Sequence, residues 1–351
     1  MNVALTKSRA LNALRCYCNY ALSLLGLVRI THKPTFISVE PAAVCQLRCP
    51  ECPVGMRGYG LSVTGYGLQV TGYGKQVTGY GTMPMEVWHR VLAEIRDTAF
   101  VVQFYFQGEP LLNKELPAMI AEAHNAGLYT IVSTNAQAMT PKMAEELAAA
   151  GLNRIIISMD GLTEETYSAY RVGGSVEKCK EAIAWLRKAK RVTGYRLPVM
   201  GYRLPVTGYG LPVIELQCLR LKSNEQEWAA LRRMYKELGA DRLTFKTAQL
   251  HDYSDGHPLM PTNRRYSRYE QTDNGHYRRK QLRQKCLRVW SGVVVTTNGE
   301  VLPCCYDKAH AYSYGNIMDT PLAELFANAK ALAFRRAALK EQPDICKECW
   351  R

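Results

Sequence analysis

No run of the sequence is apolar for long enough to cross a bilayer, which takes about twenty residues. The stretch CYCNYALSLLGLV between Arg15 and Arg29 ends after thirteen, with an Asn and a Ser inside it. A secretory signal with a basic start, an apolar centre and an A-x-A end is also missing. The 12 cysteines are loosely spaced and the chain, at 351 residues, is no mini-protein. Disulfide staples are therefore not expected, whereas metal-binding thiols in a reducing cytoplasm are. Acidic residues are scarce beside basic ones, 31 against 45, and the +14 charge suits an anionic partner without identifying one. The length allows about two domains and a large core.

Leu11, Leu14, Leu22, Leu25 and Val28 recur near helical spacing, which predicts an N-terminal helical extension over 1–35 packed through these residues. Cys16 and Cys18 would then be packed thiols, and no membrane partner is expected; an interfacial anchor is the alternative. Two segments, 58–81 and 192–212, repeat VTGYG-like units every seven residues. Glycine in each unit, and proline in the second set, exclude a coiled coil, so both read as low-complexity insertions in exposed loops.

Elsewhere strand-like and helix-like patterns alternate. Strands are expected at 36–40, 101–106, 129–133, 154–159, 214–221 and 242–246, with amphipathic helices between them. Regular alternation implies parallel βαβ units and an α/β fold, and six units fit a partial (β/α)6 barrel over 36–250. Ligands of such sheets sit beyond the carboxyl ends of the strands.

Just past the first strand stand Cys45, Cys49 and Cys52, spaced C-x3-C-x2-C. Three thiolates on one tight loop can bind three corners of a cubane iron–sulfur cluster, and with no fourth cysteine nearby one iron keeps an open position. A zinc knuckle, or three unrelated buried thiols, is the alternative; the next histidine, His89, lies beyond the first insertion. Polar and glycine residues follow the next three strands: Gly108, Glu109 and Pro110; Ser133 and Asn135; Ser158 and Asp160. Arg171 comes shortly afterwards, in Tyr-Arg-Val-Gly-Gly.

The cysteine loop, with these strand ends in this order, resembles the radical S-adenosylmethionine (SAM) superfamily. The resemblance implies a 4Fe–4S cluster whose open iron is chelated by SAM. It assigns Gly108, Glu109 and Pro110 to the amino end of SAM, and Ser133 and Asn135 to its ribose or carboxylate. Ser158 and Asp160 fall at the nucleoside and Arg171 at the carboxylate. Glu51 departs from the family, where the residue before the third cysteine is often aromatic and lies near the adenine.

Residues 251–285 form a basic stretch with interspersed tyrosines, read as a solvated linker rather than a nucleic-acid platform, which would want aromatics on an ordered sheet. From Cys286 the pattern changes. Strand-like 293–297 and 300–303 flank Asn298-Gly299, which predicts a hairpin with a type I′ turn. Cys286, Cys304 and the terminal C-x2-C pair Cys346 and Cys349 can enclose a complete second cluster; a four-cysteine zinc site is the alternative, and Cys305 competes with Cys304. The region 286–351 resembles the SPASM domain in its shortened Twitch form, which implies one auxiliary 4Fe–4S cluster.

Together these imply a cytoplasmic enzyme that cleaves SAM reductively and abstracts hydrogen from a substrate. The auxiliary cluster would accept an electron, and a flavodoxin or ferredoxin would supply one. The substrate is a small molecule or a peptide. The brevity of 1–35 tilts the expectation toward a small molecule, or toward a peptide delivered by another protein. A non-catalytic iron–sulfur electron carrier is the alternative from another class.

Overall fold

A computed structural model describes residues 5–56, 81–193, 211–280, 286–347 and 349. The bulk of both repeat segments lies outside the described residues. All six expected strands form: β1 (Phe36–Val39), β2 (Val101–Phe104), β3 (Tyr129–Thr134), β4 (Arg154–Ser158), β5 (Val213–Arg220) and β6 (Arg242–Thr247). Five more follow: β7 (Tyr269–Gln271), β8 (Tyr277–Arg279), β9 (Gly292–Val295), β10 (Glu300–Leu302) and β11 (Gly315–Asn316). Helices between the parallel strands make this the α/β, partial-barrel fold expected. The chain divides into two compact units, 1–44 with 60–131 and 283–351, and 45–59 with 132–282.

In the first unit the strand order is β11-β10-β9-β1-β2. β1 pairs parallel with β2 and with β9, while β9, β10 and β11 are antiparallel neighbours. Ile37 and Val39 of β1 and Val102 and Phe104 of β2 are buried on one face of the sheet, and Val293 to Val295 make β9 a continuous apolar strand buried on both faces. Gly292 is required where β9 meets β1, because a Cβ there would stand 2.7 Å from the Phe36 carbonyl oxygen. The β9–β10 turn differs from expectation. Gly299 alone of the pair takes a positive φ, +86°, and its N–H donates to the Thr296 carbonyl at 3.0 Å. Asn298 instead accepts from the Thr296 hydroxyl at 2.5 Å, so the connection is a three-residue turn closed by a left-handed glycine rather than type I′.

The N-terminal helix α1 (Lys7–Leu24) forms as expected, but with its faces reversed. Its buried residues are Arg9, Asn12, Cys16, Asn19 and Ser23, while Leu11, Leu14 and Leu25 are exposed, as is Cys18. The cause is hydrogen bonding. The Arg9 guanidinium donates to the Arg96, Ala126 and Gly127 carbonyls at 2.6–2.8 Å, satisfying the C-terminal ends of helices Met85–Ile95 and Leu116–Asn125. Asn12 donates to the Lys33 carbonyl and accepts the Lys33 N–H; Asn19 donates to His32 Nδ1, whose Nε2 lies 2.8 Å from the Trp290 carbonyl. A buried polar group stabilises only when paired in this way.

Glu40, just past β1, is buried, and desolvation raises its pKa from 4.5 to about 6, against lowering by His310, the Thr297 N–H, Lys308 and the Gln107 N–H. The native carboxyl thus holds its proton more tightly than the unfolded chain does. Its contribution to stability is lost as pH rises from 4.5 to 6, a cost of about 2 kcal/mol above that window. Glu40→Gln is expected to match the wild type at the acid end of the window and to exceed it by about 2 kcal/mol at neutral pH, read by denaturant unfolding.

In the second unit β4, β5 and β6 are parallel, from Arg154 against Val213 to Arg220 against Thr247. Ile155, Ile157, Ile214 and Leu216 form the core strands, and Arg154 pairs with the buried Glu215. Helices Pro141–Ala149 and Val176–Thr193 pack on one another. Residues of the basic stretch carry the β7–β8 hairpin, anchored by buried Tyr269, whose hydroxyl donates to the Leu250 carbonyl and accepts the Leu250 N–H.

Candidate metal and cofactor site

The second unit holds the three cysteines. Their loop closes on itself through Cys52 N–H to the Cys49 carbonyl at 3.2 Å, and leads into the short helix Pro53–Met56. Gly55 is obligatory there, since a Cβ would lie 2.3 Å from the Cys49 carbonyl oxygen. The Cys45 sulfur accepts from the Leu47 N–H and from Asn135 Nδ2, both at 3.4 Å. Gln46 Nε2 in turn donates to Asn135 Oδ1 at 3.2 Å. Cys49 is buried, and Cys45 and Cys52 are half-buried.

Burial pushes the Cys49 thiol up and the neighbouring Cys52 pushes it further, while Arg171, with Nη1 3.9 Å from the sulfur, pulls it down. Arg171 Nε also donates to Asp160 Oδ2 at 2.6 Å. Burial works against the guanidinium charge, but Asp160 and Cys49 outweigh it and hold the pKa well above its ordinary value. Asp160, fully buried, accepts the Leu219 N–H on Oδ1 at 2.6 Å, and its carbonyl accepts from Asn224 at 2.8 Å. The pair thus fixes a cation beside Cys49 and ties the end of β4 to that of β5. The Tyr170 ring stacks beside Arg171, 5.3 Å from the guanidinium carbon.

This donor set fits a cluster. It offers three reduced thiols, N–H donors on one sulfur and a held positive charge near another, the groups that stabilise bound thiolate. Among the described residues no three His, Cys, Asp or Glu side chains converge as they would on one metal ion. Thiolates that each hold a separate corner of a cubane need not converge.

Of the residues expected here, Asn135 is joined to Cys45, and Arg171 to both Asp160 and Cys49, whose carbonyl accepts the Cys52 N–H. Ser133, the last but one residue of β3, is half-buried, and Ser158 ends β4 buried, its carbonyl 3.9 Å from the Cys179 sulfur. Glu51, legible in sequence only as a departure, accepts the His251 N–H at 2.6 Å and pairs with His257 at 3.1 Å. It ties the cysteine loop to the start of the basic stretch. Sequence reasoning also missed Gln137, whose side chain joins Asn135, Tyr167 and Ser175. No local pattern marks it.

In the first unit, the Glu109 N–H donates to the Val44 carbonyl at 2.7 Å, and its carboxylate caps the turn Pro110–Leu112 by accepting the Leu111 N–H at 3.1 Å. Gly108 is again obligatory, for a Cβ would lie 2.3 Å from the Ala42 carbonyl oxygen. The C-terminal cysteines gather in the same unit. Burial raises the Cys304 thiol strongly, and Cys305, Cys346 and Cys286 add to it; burial pushes Cys346 up to about 12, with Cys286 and Cys349 adding. Thiols that raise one another's pKa ionise together only against a compensating cation, as a metal cluster provides. Cys305, next along the chain, packs against Phe106, Val294 and Leu302.

Residues 39–203 match the radical SAM superfamily, and residues 286–350 match an iron–sulfur cluster-binding domain of the SPASM type. A PqqA peptide cyclase from Rhizobium meliloti (strain 1021) is 24% identical over 295 residues, covering 76% of this chain and 71% of the cyclase. An AdoMet-dependent heme synthase from Methanosarcina barkeri (strain Fusaro / DSM 804) is 28% identical over 164 residues, 46% of this chain and only 42% of the synthase. Streptococcus suis SuiB, solved bound to its precursor peptide SuiA, shares the fold with a TM-score of 0.60 at 11% identity, over 99% of this chain and 78% of SuiB.

Proposed function

The chain belongs to the radical SAM superfamily, and on that premise we propose that it is a peptide maturase that abstracts hydrogen from a ribosomally made precursor. The observation that carries the enzymatic reading is the Cys49 sulfur beside Arg171, itself held by buried Asp160. The substrate class rests on the peptide cyclase, whose likeness extends over three-quarters of this chain.

Cys45, Cys49 and Cys52 would hold the SAM-binding 4Fe–4S cluster, and Cys286, Cys304, Cys346 and Cys349 an auxiliary one. When bound, the first supplies the electron that splits SAM to methionine and a 5′-deoxyadenosyl radical, and the second supplies a one-electron sink that makes the net reaction an oxidation. The protein's part is positional. Asn135 and the Leu47 N–H orient the Cys45 sulfur, and Arg171 offsets charge at Cys49. Ser133 and Ser158 offer hydroxyls at the ends of β3 and β4, where ligands of parallel sheets bind. The reductant is a flavodoxin or ferredoxin, and the compartment the reducing cytoplasm, where low-potential clusters and free thiols persist.

Incubating the anaerobically reconstituted protein and SAM with short peptides encoded beside it tests the substrate class. The expected product is a peptide lighter by a pair of hydrogens; oxidation of a sugar or other small molecule with no peptide turnover would replace the peptide reading. Cys346→Ala with Cys349→Ala is expected to lower iron from about eight to about four per chain, to keep 5′-deoxyadenosine formation and to abolish the peptide product.

A further inference from the structure

The reversed α1 leaves its apolar residues without a use in the fold. Leu11 is 48% exposed, Leu14 and Tyr17 60%, and Leu25 78%; Leu24 and Leu27 are exposed too. Leu11, Leu14 and Leu25 lie on one side of the helix at steps of three and eleven residues, with Tyr17 and Leu24 flanking them. Over 18 residues the helix runs about 27 Å, which makes this an elongated apolar stripe rather than a scattered few side chains. The opposite side is committed to hydrogen bonds with the unit's own backbone, so the stripe cannot turn inward.

Charge selects the occupant. The first acidic residue of the chain is Glu40, so the segment ahead of it carries Lys7, Arg9, Arg15, Arg29 and Lys33 against no acid at all. Arg9 is buried and Lys33 pairs with Glu94, which leaves Lys7, Arg15 and Arg29 exposed around the stripe. The nearby Asp97 is itself paired with Arg96. A second copy of the chain would bring three cations against the same three. No described helix is long and apolar enough to cross a membrane. Leucines and a tyrosine on one face with lysine and arginine beside them suit a helix lying in a bilayer interface instead.

We propose that the outward face of α1 docks this protein on an anionic lipid bilayer, with α1 parallel to the surface, its leucines at the acyl boundary and Lys7, Arg15 and Arg29 among the head groups. Binding of this kind combines apolar burial with attraction to anionic lipid and weakens with salt.

The test is co-sedimentation of the reconstituted full chain with vesicles of phosphatidylcholine alone and of phosphatidylcholine with phosphatidylglycerol. Binding at least about tenfold tighter to the anionic vesicles, lost at high salt, is expected. Leu14→Glu with Leu25→Glu should weaken it by about tenfold or more, and Arg15→Glu with Arg29→Glu likewise. Both pairs are surface side chains, so iron content and 5′-deoxyadenosine formation should stay as in the wild type. Equal or absent binding to the two vesicle types overturns the proposal, as does a leucine variant that binds like the wild type. A dimer by light scattering that the leucine variant dissolves, with no vesicle binding, would assign the face to a second copy instead.

Discussion

Replacing Cys45, Cys49 and Cys52 together with Ala is expected to abolish 5′-deoxyadenosine formation and to remove about four of about eight irons per chain. Each thiol would hold one corner of the cluster, and the surrounding groups are arranged about those sulfurs: two N–H donors on Cys45, a guanidinium beside Cys49, and a glycine at 55 that lets the following helix close on Cys49. The loss should be complete, because the proposed auxiliary cluster, held by four cysteines, would keep no open iron for SAM. The C-terminal cysteines remain in that variant, and their cluster should still form. Iron analysis alongside the activity assay therefore separates loss of one cluster from loss of the fold.

The second large effect concerns the Asp160–Arg171 pair. Asp160 is fully buried and accepts both Arg171 Nε and the Leu219 N–H at 2.6 Å. Removing one partner of such a pair leaves a charge without compensation in a poorly solvated place, at a cost of about 3–5 kcal/mol. Arg171→Met is accordingly expected to destabilise the second unit by that order, and Asp160→Asn somewhat less, because the amide still fills the space. The double variant Asp160→Asn, Arg171→Met should be less destabilised than the sum of the two, a coupling that a double-mutant cycle in denaturant reads directly. Arg171→Met should also load less iron at the SAM cluster, since Cys49 loses the cation that offsets its thiolate; normal loading would show that Arg171 serves the fold alone.

Much of this was legible in the sequence. The alternation of apolar runs placed all six parallel strands to within a residue or two, because buried parallel strands read as short apolar segments between amphipathic helices. The cysteine loop was legible because its chemistry depends on spacing within a few residues. What escaped was non-local. Periodicity shows which residues of α1 share a face but not which face turns inward. That choice was made by three carbonyls at 96, 126 and 127, far along the chain, to which Arg9 donates. Asp160 and Arg171 were each marked as site residues by their place after β4, yet their pairing with each other required the fold. Glu51 showed as a mismatch, and its partners, His251 and His257, lie 200 residues and more away in the sequence. The turn at Asn298-Gly299 was misread in type because Asn298 bonds Thr296 through its side chain instead of taking a left-handed backbone.

The central claim is that the Cys45, Cys49 and Cys52 loop builds a SAM-cleaving centre rather than a closed metal site. Anaerobic reconstitution followed by reduction, with and without SAM, measures this directly through the paramagnetic spectrum of the reduced cluster and the yield of 5′-deoxyadenosine. A SAM-dependent change in that spectrum together with 5′-deoxyadenosine is the predicted result. A fully iron-loaded protein whose spectrum ignores SAM and which releases no 5′-deoxyadenosine would contradict it, and would leave an electron carrier in its place.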